Sequence, residues 1–268
     1  APAESGKTYT VGVCQLVQHE ALDAATQGFV DALKEELGDA VTVDVQNASG
    51  DSVNCGTIVN GFVSKGVDLI MANATPALTA AVSATADIPI LGTSITAYGV
   101  ALDIDDFNGT VGGNVSGTSE PNSRYQIDEV RKALEAQGVT CEEFAFTDSN
   151  DVSSVTQKAA DFSDVVYIPT DNTAASNTEA IANVLIPAGV PAICGEEGLC
   201  RGCGVATLSI SYYDLGVTTG KMAAKILKGE ADISTMPVEY TDATPKYNAS
   251  VCEQLGITPL DGYEAIDG

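Results

Sequence analysis

The sequence predicts an α/β protein of two lobes, each a doubly wound parallel sheet, joined by a hinge. Three observations carry this. Residues 164–176 (DVVYIPTDNTAAS) open with Val165, Val166, Tyr167 and Ile168, then break at Pro169. They turn polar at Thr170, Asp171, Asn172 and Thr173 and run on into an Ala-rich helical period through Ile181 and Leu185. That order spells a buried strand, a loop and a capped helix start. The second observation is a repeat: residues 67–77 (VDLIMANATPA) have the same layout. The sequels agree as well, Ile88-Pro89-Ile90-Leu91-Gly92-Thr93-Ser94 after the first copy and Val190-Pro191-Ala192-Ile193-Cys194-Gly195-Glu196-Glu197 after the second. An offset of roughly a hundred residues is one domain's worth, so it means two similar lobes rather than a solenoid. The third is the alternation of strand and helix patterns along the chain. Open sheets of this kind bind ligands at the carboxyl ends of strands and the amino ends of helices, so two lobes with polar strand ends point to one site between them.

The elements follow in order. Residues 9–17 (YTVGVCQLV) read as the first strand, and 19–38 as a helix with Leu22, Phe29, Val30 and Leu33 on one face and Gly38 as its stop. A strand at 41–45, a turn at 47–51 and a helix carrying Ile58, Val59 and Phe62 come next. The first copy and a strand at 88–91, ending in Gly92-Thr93-Ser94, complete this half. Residues 109–118 (GTVGGNVSGT), dense in Gly, Asn, Ser and Thr, suit the first crossing between lobes. A helix at 124–137, a strand at 142–146 and a helix at 152–160 lead to the second copy. Strands at 190–194 and 205–210, a helix at 212–228 stopped by Gly229, an extended run at 236–241 and a helix at 247–256 finish the chain. Lobe 1 is expected over residues 1–116 with 211–236, and lobe 2 over 117–210 with 237–268.

Composition narrows the function. Twelve basic against thirty-seven acidic residues give a net charge of −25, which repels nucleic acid and anionic membranes as partners. No apolar run approaches the ~20 residues of a membrane span, so a soluble chain is expected. The turn-rich lead-in Ala1-Pro2-Ala3-Glu4-Ser5-Gly6-Lys7 suggests a chain whose targeting segment has been removed. The expectation is an exported protein at the cell surface or in the periplasm, with a lipid anchor on the removed segment left open. The seven cysteines are scattered, so they make no disulfide framework. Cys14, Cys141 and Cys194 fall in strand-like apolar runs and are expected in the core. Cys200 and Cys203 form a C-x-x-C that is weak evidence for zinc without a second pair or a nearby histidine, and a local disulfide or two free thiols both remain open. His19 is the one histidine, so a histidine cage for a metal cannot form, and neither metal nor cofactor is expected.

Six ordered motifs bring a family to mind. Cys14-Gln15-Leu16-Val17 with His19, Ala74-Thr75-Pro76-Ala77, and Gly112-Gly113-Asn114-Val115-Ser116-Gly117-Thr118 are three of them. Tyr167-Ile168-Pro169-Thr170-Asp171-Asn172-Thr173, Gly195-Glu196-Glu197-Gly198, and Tyr212-Tyr213-Asp214-Leu215-Gly216 with Thr219-Gly220 are the others. Together they resemble the ABC-transporter substrate-binding proteins of the tryptophan/tyrosine type, over nearly the whole chain. The resemblance implies a type I periplasmic-binding (Venus-flytrap) fold that closes on a small ligand, usually an aromatic amino acid, and delivers it to a membrane permease. A monomer is expected. Two departures stand out. Near 119–121 a helix–strand pair of roughly 30 residues that the family would have is missing, either as a deletion in the chain or as a segment absent from this sequence, so nothing in the second lobe matches the strand at 9–17. Ser211 stands where the family often has Asp.

A zwitterionic amino acid needs donors for its carboxylate and an anion for its ammonium. Thr75 and Pro76 at a helix start, with Thr93, Ser94 and Thr96 at the neighbouring strand end, are the candidates for the carboxylate. Asp171 with Asn172, and Glu196, are the lobe 2 candidates for the ammonium. Asp171 as a plain helix cap is the competing reading, at even weight. Gln15 and His19 stand at the end of the first strand and gain a ligand role through the resemblance. Tyr98 and Tyr212 are pocket walls or ordinary packing. An enzyme is disfavoured because no G-x-S-x-G elbow precedes a helix and the single histidine has no evident nucleophile to serve. The ligand-binding sensor module of a signalling or regulatory system is the other alternative.

Overall fold

The computed structural model describes residues 7–121 and 123–266. The chain divides into two compact units, residues 1–120 with 212–241 and residues 121–211 with 242–268. Unit 1 begins β1 (Tyr9–Gln15), α1 (Glu20–Leu37), β2 (Val41–Asn47), α2 (Ser52–Lys65), β3 (Leu69–Asn73), α3 (Thr75–Ala84), β4 (Ile90–Ile95), α4 (Tyr98–Ala101) and β5 (Val115–Ser119). The chain then enters unit 2 with α5 (Ser123–Glu135), α6 (Val152–Phe162), β6 (Val166–Ile168), α7 (Asn172–Ala175), α8 (Thr178–Ala188), β7 (Ala192–Cys194), α9 (Glu197–Cys203) and β8 (Ala206–Ile210). It returns to unit 1 for α10 (Tyr212–Leu227) and finishes in unit 2 with β9 (Ala243–Tyr247), α11 (Ala249–Leu255) and β10 (Glu264–Ala265). Among the described residues no helix is long and apolar enough to cross a membrane.

The unit 1 sheet runs β2-β1-β3-β4-β5, all parallel. Its central strands are apolar on both faces because helices cover both. Val11, Val13, Leu69, Met71 and Leu91 point to α1 and α10, where Phe29, Leu33, Met222 and Leu227 receive them. Their strand neighbours Cys14, Ile70, Ala72 and Ile90 point the other way, to Val59, Phe62 and Leu78 of α2 and α3. The period-two alternation of the strand thus feeds two separate core layers. Helix ends obey the same local rules: Asp51 caps α2 through Val53 N–H, and Gly66 closes that helix in the left-handed region.

Two strands of unit 1 lie further along than the sequence pattern suggests. β4 continues through Gly92, Thr93 and Ser94 to Ile95. The Gly-rich run expected to cross between lobes instead ends in β5, paired with β4 so that Gly92 and Gly117 stand opposite each other. A Cβ at Gly117 would run into the Gly92 backbone and the Tyr98 hydroxyl, so glycine here permits the close approach. The crossing therefore falls after Glu120. Residues 236–239 also stay with unit 1, since Val238 N–H donates to Gly109 O, Glu239 N–H to Gly117 O, and Ser119 N–H to Glu239 O.

In unit 2 the order is β10-β9-β8-β7-β6, parallel from β6 to β8 and antiparallel between β8 and β9, so this sheet is mixed. β6, β7 and β8 repeat the layout of β3, β4 and β5, but β6 is an edge where β3 has β1 beside it. The strand expected at 142–146 has no regular structure and no ladder. In the same unit α5 carries no buried residue, and its apolar Ile127, Val130 and Leu134 are only half-covered.

Candidate functional site

Each unit presents polar residues at the carboxyl ends of its strands. In unit 1, β3 passes into α3 through Ala74, whose backbone sits at φ 85, ψ 155. That region belongs almost entirely to glycine, and holding an alanine there costs ~1–3 kcal/mol. Bonds on both sides hold it: Ala74 N–H donates to Thr93 O at 3.0 Å, and Ala74 O accepts from Ala77 and Leu78 N–H at 3.1 Å each. At the next strand end Ser94 is also left-handed, with φ 55. It is 2% exposed, and its hydroxyl has no hydrogen-bond partner. An orphaned buried hydroxyl costs about 1–3 kcal/mol. Two strained non-glycine residues thus stand at adjoining strand ends, one with an unused buried hydroxyl, and strain of this kind clusters at ligand clamps and active sites.

Thr75 does not cap α3 as the sequence suggests, because Ala74 takes the cap position with its backbone. Thr75 is the first helical residue. Pro76 has no N–H, and Ala77 and Leu78 donate back to Ala74, so the Thr75 N–H and hydroxyl are the donors that this helix start leaves unused. Three other residues singled out by the sequence make hydrogen bonds within unit 1. Gln15 donates to Val17 O (2.9 Å) and Asp23 Oδ1 (2.6 Å) and accepts from Thr26 (2.7 Å), which uses both amide hydrogens and one of the two acceptor positions. Thr93 is 0% exposed and shares a hydrogen bond with Thr118 (3.1 Å), which in turn shares one with Thr219 (2.9 Å). Tyr98 is core, stacked on Phe107 with its hydroxyl donating to Thr118 O at 3.2 Å, and burial pushes its pKa well up. His19 is half-buried at the cap position of α1 and makes no capping bond with its side chain.

The sequence pattern misses two residues of this half. Asn73, fully buried at the end of β3, donates to Leu22 O (2.8 Å) and Thr26 Oγ1 (3.0 Å) and so ties α1 to the strand ends. Glu120, at the end of β5, is 9% exposed. Its Oε1 accepts from Thr96 at 3.0 Å and its Oε2 from Tyr212 at 2.6 Å. A lone Glu before Pro121 gives no pattern to find it by.

In unit 2 the loops after β6 and β7 are tied together. Gly195 N–H donates to Ile168 O (2.7 Å), and Thr170 N–H to Gln126 Oε1 (2.9 Å), while the Ser123 hydroxyl donates to Thr170 O. Asp171 caps α7 through Ala174 N–H (2.8 Å) with one oxygen, and Asn172 begins that helix. Glu196 is 2% exposed, and both its oxygens accept from the start of α9: Gly198 N–H at 2.7 Å and Leu199 N–H at 2.5 Å. Its charge is thus used at a helix amino end.

All seven cysteines are free thiols. Cys200 and Cys203 are buried in α9, Cys14 and Cys194 are core as expected, and Cys141, expected in the core, is half-buried in a segment without a ladder. Burial pushes Cys14 well up and Cys200 up to about 12, so both stay protonated near neutrality. Among the described residues no group of three or more His, Cys, Asp or Glu is placed to hold a metal.

The family model for the ABC transporter substrate binding protein matches residues 10–121 and 113–262. The chain belongs to this family. A tyrosine-binding protein of Clostridioides difficile (strain R20291) is 30% identical, covering 90% of this chain and 79% of that one. That alignment spans 272 residues, so about thirty of its positions lie opposite no residue of this chain, the size of one helix–strand unit. Among solved structures, an ABC domain from Streptococcus pneumoniae in complex with L-Trp superposes with TM-score 0.88 at 28% identity, over 97% of this chain and 100% of that one. The ligand-free, open structure of a substrate-binding protein with adhesive properties from Clostridium difficile gives 0.73 at 31% identity, over 97% and 99%. The fold of this substrate-binding protein is the type I periplasmic-binding fold.

Proposed function

We propose that this chain is the extracytoplasmic receptor of an ABC importer and that its ligand is a small zwitterion, foremost an aromatic L-amino acid. The observation that carries the reading is the paired strain at Ala74 and Ser94, beside the unused donors of Thr75 and the orphaned Ser94 hydroxyl. A carboxylate accepts from all three donors and relieves the buried hydroxyl. The C. difficile relative named for tyrosine and the S. pneumoniae structure holding L-Trp support an amino acid with a ring. Asp171, with the oxygen its cap does not use, and Asn172 are the contacts we assign to unit 2, and the ligand draws the two units together by binding both. The bound molecule leaves unchanged, for a permease to take up, and no chemical step is assigned to the protein.

Thermal unfolding against the twenty amino acids tests this. A ligand at a hundredfold excess over its Kd adds about 2.7 kcal/mol of stability, which raises Tm by roughly 5–10 °C for units of this size. The expected result is a rise with tryptophan, tyrosine or phenylalanine and unchanged amino acid recovered afterwards. No rise with any amino acid, or recovery of a converted product, would refute the proposal.

A further inference from the structure

We infer that Cys194 and Cys203 are a disulfide site: in oxidising surroundings their sulfurs join and staple the end of β7 to the end of α9. This goes beyond the ligand reading and shares with it only the location, since proteins of this family are extracellular or periplasmic, where disulfides form and persist. The C-x-x-C spacing of Cys200 and Cys203 points to a bridge inside α9, but the structure gives Cys203 a different neighbour. The thiols of Cys194 and Cys203 are hydrogen-bonded to each other.

The backbone brings them together. Val205 N–H donates to Ala192 O at 2.8 Å, and from there β8 runs beside β7 with Cys194 opposite Thr207. The chain leaving α9 is therefore fixed against the strand that carries Cys194. Gly204, between Cys203 and Val205, lacks the Cβ that would stand 2.4 Å from Cys194 Sγ. Cys203 Sγ is held in turn, donating to Leu199 O at 3.2 Å. Both cysteines are 1% exposed and share one core with Leu199 and Cys200. A thiol–thiol hydrogen bond leaves the sulfurs ~4 Å apart, and rotation about the side-chain bonds shortens that toward the ~2 Å of an S–S bond.

Hydrogen bonding to Cys203 and burial push the Cys194 thiol well up, and the nucleophile in disulfide exchange is the thiolate. The bond therefore forms during folding, before unit 2 has packed. One thiolate of the pair attacks a low-molecular-weight disulfide, giving a mixed disulfide and releasing one small thiol. The other then attacks the protein sulfur of that bond and releases the second small thiol. Two protein S–H groups are oxidised to one S–S bond, and the small disulfide is reduced to two thiols that carry both protons. The bridge closes residues 194–203, the segment in which Glu196 caps α9. A closed loop of this length favours the folded state about a hundredfold.

The test is to reduce and unfold the full chain in urea, then refold it in a mixture of oxidised and reduced glutathione. Cleavage after Glu197 and Arg201 parts Cys194, Cys200 and Cys203 into three peptides, and mass spectrometry shows which are joined. The expected product is a Cys194–Cys203 link, retained in Cys200→Ser and lost in Cys203→Ser. The linked protein is expected to unfold roughly 5–10 °C above the same sample after reduction, and Cys203→Ser to lose that difference. No link between these peptides, a Cys200–Cys203 link in its place, or a link whose reduction leaves Tm unchanged would overturn the inference. None of these results bears on the ligand reading, which depends on amino-acid binding alone.

Discussion

Ala74 shows how a single residue can be held against its own preference. Its φ of 85 and ψ of 155 suit glycine, yet three backbone hydrogen bonds keep it there. Replacing it by glycine removes ~1–3 kcal/mol of strain and adds about 0.5–1 kcal/mol of chain entropy. Ala74→Gly is therefore expected to raise the stability of unit 1 by about 1 kcal/mol, measured as a higher urea midpoint at constant m-value. A lower midpoint would show that the strain is not there. At this scale the sequence was legible only in part. Gln15, Thr93 and Glu196 are polar residues at strand or helix ends, as a site requires, but their side chains complete hydrogen bonds inside their own unit. Residue type and position can place a polar group at a strand end; which neighbour it turns toward depends on elements that arrive from elsewhere in the chain.

At the scale of elements, the return of α10 to unit 1 depends on small residues. A Cβ on Gly216 would run into Ala25 O, one on Gly28 into Tyr213 O, and one on Gly220 meets Ala32 and Phe29. The two helices thus touch backbone to backbone, which neither helix reveals alone. Gly216→Ala is expected to cost about 3 kcal/mol through overpacking against backbone that cannot move aside. Gly61→Ala, on α2 with open space around it, should instead stabilise by about 1 kcal/mol. Equal effects in chemical denaturation would contradict the close packing of α1 and α10. The long apolar helices and strands were readable from their periods, because each period reports one buried face. β5 was not, since Gly117 and the glycines just before the strand look like a linker until β4 and Tyr98 are set against Gly117. The segment 142–146 has the pattern of a strand and no ladder, because pairing needs a neighbour as well as a propensity.

Across the whole molecule the two units are unequal. Unit 1 has five parallel strands with an interior β1, β3 and β4, whereas unit 2 ends at a three-residue edge strand, β6, with α5 lacking a buried residue. Amide hydrogen exchange in the native state should find β6 and α5 opening well below the free energy of β1, β3 and β4. Uniform protection across both units would count against this. The sequence by itself determined the α/β class, the internal repeat, the family through six ordered motifs, and the shortfall near residue 120, because each is a matter of order and spacing along one chain. Tertiary structure decided which strand-end groups remain unused and which are consumed: Thr75 and Ser94 are left over, while Gln15, Thr93 and Glu196 are satisfied. It also brought Glu120, Thr96 and Tyr212 together across as many as 116 positions of sequence. Hydrogen bonds reach about 3 Å and take no account of separation along the chain, so only packing assigns their partners.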